Sequence, residues 1–188
     1  DVIIPSDING NVITAIGDYA FYGQALRSVE LPDNITSIGD EAFKNNYLTS
    51  VKIPDSVISI GADAFKGMET KEVLIDGRFN IEIKGNYLTS VVIGNSVTSI
   101  GHGAFSDNNL TSLEIPDSVT SIDSWAFNNN NLISIKIPDS VHSLGNSAFR
   151  NNKLESVVIG KRITSIGDSD FKNNKLTSLI IGNSVTSI

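Results

Sequence analysis

The chain has 188 residues, of which 40% are hydrophobic; it contains no cysteine and carries a formal net charge of −7. Without cysteine there are no disulfides, zinc–thiolate sites or thiol nucleophiles, and an acidic chain with scattered basic residues lacks the charge footprint of a nucleic-acid-binding protein. No apolar run reaches the roughly 18 residues that a membrane helix requires, so we predict no membrane insertion.

Phenylalanine recurs at a fixed interval along the chain, at positions 21, 43, 65, 105, 127, 149 and 171. The spacing is 22 residues except for one interval of 40, which is 18 longer than the others. A period in this range predicts a solenoid of stacked repeats. We therefore predict a single solenoid over residues 1–188 with about 8.5 rungs, in which 70–87 is an irregular rung of 18 residues and 176–188 is a truncated last rung.

The typical rung predicts one strand and one tight turn. The alternation in "LTSVKI" places Val51 inward and Ser50 and Lys52 outward on a short strand, and stacked rungs form a parallel sheet on the concave face. The "IPDSV" segment that follows ends the strand, because proline cannot donate to the ladder. The "GADAF" segment ending at Phe65 predicts a short helical or 3₁₀ turn on the convex face, where the phenylalanines stack.

Asparagine and serine also recur in columns. An inward asparagine stands two residues before the leucine of most rungs and should bond backbone groups of adjacent rungs; these residues are Asn46, Asn86, Asn108, Asn130, Asn152 and Asn174. The serine columns are interpreted as small polar packing, with a flat hydroxyl array for a carbohydrate or for ice as the alternative.

The irregular stretch 70–87 lacks the "IGxxAF" segment. Alternating Phe79, Ile81 and Ile83 predict an extended segment in place of the turn, which would interrupt the phenylalanine stack. Decay of a duplicated repeat is one interpretation, and a kink that opens a recess beside Leu74 is the other.

The segment "LTSVKIPDSVISIGADAF" (48–65) closely resembles the BspA-like leucine-rich repeats of secreted and cell-surface proteins from bacteria and some protozoa. The resemblance covers nearly the whole chain. It implies an α/β-type leucine-rich repeat solenoid, located outside the cell or on a microbial surface, that binds proteins such as host matrix or cell-surface components. It implies no catalytic residues, so we predict neither an enzyme nor a cofactor.

Specificity should reside in the outward positions at the strand centres, where the order of residues predicts alternating charged and apolar pairs in a four-rung super-repeat. The charged pairs Glu30/Lys52 and Glu114/Lys136 are predicted to face each other across adjacent rungs. The apolar positions form two candidate partner-binding stripes on the concave face, which consist of Leu74, Val92, Val158 and Ile180. Isolated exposed apolar residues without a binding role are the alternative.

Trp125 is a further candidate partner-binding residue, because tryptophan is enriched at binding hot spots and this one lies at an outward turn position. It could equally lie flat over Gly103. The two histidines, His102 and His142, occupy different columns and predict no metal site.

Two function classes follow: a surface-displayed recognition or adhesion module, and a passive spacer that holds another domain away from the cell. The last rung ends at Ile188 without a polar cap. The sequence therefore predicts either a continuing natural chain or an end-to-end homodimer through this rung.

Overall fold

The computed structural model describes residues 1–67, 69–75, 78–167 and 169–188, and for the strands within 69–84 it describes the backbone alone. In this part of the chain the regular structure consists of short β-strands joined by turns, without a helix, and thus without any helix that could cross a bilayer. The strands are β1 (Val2–Ile3), β2 (Asp7–Ile8), β3 (Asn11–Val12), β4 (Ala15–Ile16), β5 (Val29–Glu30), β6 (Ser37–Ile38), β7 (Ser50–Lys52), β8 (Ser59–Ile60), β9 (Glu69–Ile75), β10 (Arg78–Lys84), β11 (Ser90–Val92), β12 (Ser99–Ile100), β13 (Ser121–Ile122), β14 (Ser134–Ile137), β15 (Ser143–Leu144), β16 (Ser156–Ile159) and β17 (Ser178–Ile180).

The predicted parallel strands form the first side of each rung. Strand β7 pairs with β11 in register, β1 pairs with β5, and β14, β16 and β17 form a continuous ladder. Because side chains alternate along a strand, Val51 is buried while Ser50 and Lys52 are exposed. The outer surface of these strands is called the strand face below.

A second parallel sheet forms the next side, where the sequence predicted only a continuation of the inner lining. It runs β4, β6, β8, β12, β13, β15, and each of its strands has two residues. Threonine hydroxyls beside it donate to backbone carbonyls of the preceding rung, as from Thr98 to Ile58 (3.2 Å) and from Thr120 to Thr98 (3.1 Å). These threonine hydroxyls therefore help to join adjacent rungs.

The third side, the turn side, is built from hydrogen-bonded turns rather than the predicted helical or 3₁₀ turns. Two positions of most turns take up left-handed backbone conformations, for example Glu41 (φ 52°) with Asn45 (φ 58°), and Trp125 (φ 64°) with Asn129 (φ 55°). A left-handed residue every fourth position cannot continue a right-handed helix. Asparagine and aspartate tolerate this conformation, which explains why they dominate the second position.

The phenylalanines form one unbroken stack through the core. Neighbouring ring centroids lie 5.1–6.0 Å apart with nearly parallel planes, and Phe65 stacks on Phe105 at 5.5 Å. The predicted interruption of this stack was therefore wrong.

The asparagine ladder is confirmed. The Asn130 side chain accepts from the Leu110 amide of the preceding rung (3.0 Å) and donates to the carbonyls of Phe105 (2.9 Å) and Phe127 (3.2 Å). The same pattern recurs at the equivalent asparagines, which are buried or half-buried. Each amide thus satisfies backbone groups that the core would otherwise leave without partners.

The stretch predicted as an irregular rung is instead a hairpin inserted into a rung. Strands β9 and β10 pair antiparallel, from Glu69 with Lys84 to Ile75 with Arg78. Because β7 pairs directly with β11, the rungs before and after the hairpin are neighbours. The sequence spacing alone fits either reading, since an added rung and an insertion both lengthen the interval by 18. The candidate residue Leu74 lies on this hairpin, and its side chain is outside the described residues.

Asp170, which replaces the usual alanine, is buried and has a specific backbone role. Its carboxylate accepts from the amides of Ser147 (2.9 Å) and Gly167 (2.7 Å). In the other rungs the amide equivalent to that of Ser147 donates to a backbone carbonyl, as Trp125 does to Asn146. The Asp170 carboxylate therefore adds a hydrogen bond between its own rung and the preceding one.

Replacing Asn130 with alanine should lower the free energy of unfolding by about 1–3 kcal/mol, because the buried Leu110 amide loses its acceptor and an unsatisfied buried donor costs about that much. The carbonyls of Phe105 and Phe127 keep Asn108 and Asn152 as donors. The neighbouring Asn131→Ala variant is the control, since Asn131 makes one side-chain hydrogen bond, to Asn109 (3.3 Å). Urea denaturation measures both; equal losses would contradict the ladder's role.

Deleting residues 68–85 should leave a folded solenoid. The deletion joins Gly67 to Asn86, which already form a parallel bridge. The joined sequence reads "FKGNYL" and matches the regular segment "FKNNYL" of residues 43–48 except at one position. Circular dichroism should show a β-protein, and urea should unfold it in one cooperative transition. A collapsed or aggregating product would show that the hairpin is an integral part of the solenoid.

Candidate partner-binding groove

A shallow groove runs along the solenoid axis where the strand face meets the "IPDSV" turns. It is lined by two rows of side chains, one from the outward strand centres and one from the turns. The strand row consists of Lys52, Val92, Glu114, Lys136, Val158 and Ile180, and the turn row of Asp55, Asn95, Asp117, Asp139, Lys161 and Asn183. We call this surface the axial groove.

The groove consists of three adjoining recesses of about 670, 460 and 300 Å³. Adjacent recesses share lining residues: Asp117 and Lys136 belong to the first two, and Glu114 to the second and third. The floor packs tightly at Gly94 and Gly160, because a side chain there would overlap the backbone of the preceding rung. These glycines therefore allow the backbones of adjacent rungs to approach closely.

Three of the five predicted binding residues line the axial groove. Val92 and Ile180 are 58% and 59% exposed, and Val158 is half-buried. The sequence identified this row but missed the turn row that faces it, although the recurring aspartate of "IPDSV" was the available signal.

The strand row shows a three-rung pattern that occurs twice, rather than the predicted four-rung super-repeat, and then ends with two apolar residues, Val158 and Ile180. With the hairpin excluded, its side chains run apolar, acidic, basic from Ile3 through Glu30 and Lys52, and again from Val92 through Glu114 and Lys136. The four-rung reading was wrong because it counted Leu74 as a strand-row residue. At about 4.8 Å per rung, the pattern repeats roughly every 14 Å.

The charges of the strand row do not neutralise each other in the described part of the chain. The predicted Glu30/Lys52 and Glu114/Lys136 pairs do not come within ion-pair distance, and no other ion pair involves these residues. Their charged groups are therefore available to a partner.

The turn row contains one ion pair. The Lys161 ammonium lies 3.0 Å from the Asp139 carboxylate, which also accepts from the Lys161 amide (3.0 Å). These hydrogen bonds from Lys161 hold the pKa of Asp139 below its usual value of 3.8. The pair places one positive and one negative group in the first recess, and the Asp139 carboxylate stays ionised in mild acid.

Trp125 lies on the turn side, away from the axial groove. Its ring is 38% exposed, and the Arg150 guanidinium lies over it at 5.7 Å. The atoms closest to the open side of Gly103 belong to Asp63 and Ser106 rather than to Trp125. Among the described residues, no group of three or more histidine, aspartate or glutamate side chains is arranged to hold a metal ion.

Comparison with known proteins identifies relatives of this architecture. A family model described as a BspA type leucine rich repeat region, with six copies, matches residues 14–86 and 80–188. A leucine-rich repeat protein from Bacteroides ovatus is 22% identical with a TM-score of 0.52, and the match covers 94% of this chain and 54% of that one. A T. pallidum leucine rich repeat protein is 23% identical with a TM-score of 0.54, covering 95% of this chain and 68% of that one.

These structural likenesses show the fold alone, and the chain spans about half the length of the first of them. No curated protein sequence matches the chain.

Replacing Lys161 with asparagine, the residue at the equivalent Asn95 and Asn183, should raise the pKa of Asp139 toward 3.8. A carboxyl whose folded-state pKa is lowered stabilises the fold above its usual pKa, and this stabilisation disappears as the pH falls through the lowered value. NMR titration of the Asp139 carboxyl carbon measures the shift. Lys153→Asn, on the turn side, is the control; an equal effect there would exclude a local cause.

Proposed function

We propose that this chain, which belongs to the BspA-type leucine-rich repeat family, is a surface-displayed recognition module that binds a protein partner along its axial groove. Members of leucine-rich repeat families generally act as protein-interaction or surface modules. The observation that carries the proposal is the row of exposed apolar side chains set among unpaired charges.

The composition of the strand row favours a protein as the partner. Val92, Val158 and Ile180 offer aliphatic contact area, and apolar surface removed from water is the main driving force of protein association. Glu114 and Lys136 between them offer charges of both signs, which give register and selectivity to a complementary polypeptide. A uniformly charged polymer would meet repulsion at every third rung.

The length of the groove suits an extended segment of the partner. The strand row from Lys52 to Ile180 spans six rungs, or roughly 24 Å at the usual strand spacing. An extended chain covers this distance with about seven residues. A host matrix or cell-surface protein is our proposed partner class, and the outside of a microbial cell is the proposed location.

A passive spacer is the second candidate function. The unbroken phenylalanine stack and the asparagine ladder join every rung to the next, as a stiff extended support requires. The end-to-end homodimer through the last rung stays a prediction.

The decisive experiment is a binding screen against extracellular-matrix and serum proteins, comparing the wild type with the triple variant Val92→Lys, Val158→Lys, Ile180→Lys. Loss of one hot-spot contact at the centre of an interface costs about 2 kcal/mol or more, so with one such residue among the three we expect at least a tenfold loss of affinity. The control carries the same substitution at Ile8, Val12 and Ile58, which are exposed and lie outside the groove.

Both variants must show the wild-type circular dichroism spectrum. Binding that survives in the groove variant would place the site elsewhere. If no partner bound the wild type, the spacer function would be preferred.

A further inference from the structure

We propose that four basic residues on the turn side, Arg150, Lys153, Lys172 and Lys175, form a binding site for a sulfated polysaccharide. This surface, called the cationic patch below, does not overlap the axial groove, so the inference stands independently of the proposed protein partner.

The patch is a two-by-two array set by the repeat. Arg150 and Lys172 occupy one column, Lys153 and Lys175 another, and the Asn151 amide donates to the Lys172 carbonyl (2.9 Å), which shows that the two rungs are adjacent. Adjacent rungs lie about 4.8 Å apart, well within the Debye length of about 8 Å at physiological salt. The four charges therefore act together on an anion.

The regular rungs show why these cations are available. Lys44 and Lys66 stand in the same column as Arg150 and Lys172, but their charges are neutralised by carboxylates: Lys44 lies 3.0 Å from both Glu41 and Asp63, and Lys66 lies 3.6 Å from Asp63. Burial alone would lower the pKa of Lys44, but these carboxylates raise it to about 12.

At the positions equivalent to Glu41 and Asp63, the rungs of the patch have Ser147 and Ser169, which carry no charge. Within the described residues, none of the four cations has an ion-pair partner. In the same turns the Asp170 carboxylate is buried, and it accepts hydrogen bonds from the Ser147 and Gly167 amides. The patch thus keeps an outward positive charge on a chain whose net charge is −7.

The surroundings of the patch favour a polysaccharide among polyanions. The Trp125 ring beside Arg150 is partly exposed and offers a flat apolar face, and the Arg150 Nε atom is buried without a hydrogen-bond partner in the described structure. The side chain of Asn173, which is exposed, donates to that of Asn151, which is half-buried (2.7 Å), and these two amides flank the cations. An aromatic face with amide groups suits sugar rings and hydroxyls.

Two other polyanions fit less well. Duplex DNA carries one charge per about 1.7 Å along its axis, and its tight binders present many more cations on a basic surface. An anionic membrane would need well-exposed apolar side chains for insertion beside the lysines. Among the described residues, the apolar side chains next to the patch are Trp125 and Leu176, and they are only 38% and 36% exposed.

The test measures binding of a heparin decasaccharide by isothermal calorimetry at several salt concentrations. The patch variant carries Arg150→Asn, Lys153→Asn, Lys172→Asn and Lys175→Asn, which copy Asn128 and Asn131 from the preceding rung and so preserve local structure.

The control carries Lys52→Asn, Lys136→Asn, Lys161→Asn and Arg162→Asn. Each variant removes four positive charges, so the net charge changes equally from −7 to −11.

We expect the wild type to bind and the patch variant to lose at least tenfold in affinity, with a shallower salt dependence because fewer counterions are released. The control should stay within about threefold of the wild type, and desulfated heparin should not bind. The proposal is overturned if the wild type fails to bind, if the control loses as much as the patch variant, or if duplex DNA or phosphatidylserine vesicles bind the patch more tightly than heparin.

Discussion

The structure depends on the hydrogen bonds by which each buried asparagine ties its own rung to the preceding one. The Asn130 side chain accepts from the backbone amide of Leu110, 20 positions earlier, and donates to the backbone carbonyl of Phe105, 25 positions earlier. A side chain of fixed length can do this only if consecutive rungs keep the same shape at this corner. Stacked rings of Phe105 and Phe127 then fill the space beside it. The repeat length is thus a geometric requirement, and any added residues must leave the rung through a loop.

Because ladder and ring stack hold the core, the outward columns can vary from rung to rung. The same turn-side column holds a neutralised lysine at Lys44 and an available cation at Lys172, and the difference lies in whether the residue three positions earlier is Glu41 or Ser169. The strand row likewise places valine, glutamate and lysine on equivalent backbone. Two chemically different surfaces are therefore built on one scaffold by changing single side chains.

The sequence predicted what periodicity can encode: the parallel strands, the asparagine ladder and the outward position of Val92 and Ile180. It failed where two structures share one spacing, since an interval of 40 fits an extra rung as well as an insertion. The strands of the second sheet have two residues each, which is too short for an alternation of apolar and polar residues to be recognised in the sequence. The turns resembled helix starts, and only the left-handed backbone at positions such as Glu41 excludes a helix. The cationic patch required knowing which lysines face a carboxylate.

The inserted hairpin makes one joint of the solenoid different from the others during folding. Most contacts between rungs close a loop of 22 residues, which is a low contact order for a β-protein and allows assembly to start at many points. Pairing β7 with β11 must close a loop of 40 residues. By the logarithmic dependence of loop entropy this costs roughly 0.5 kcal/mol more. The joint between the rungs of Phe65 and Phe105 therefore carries a slightly larger entropic cost of closure than the other joints of the solenoid.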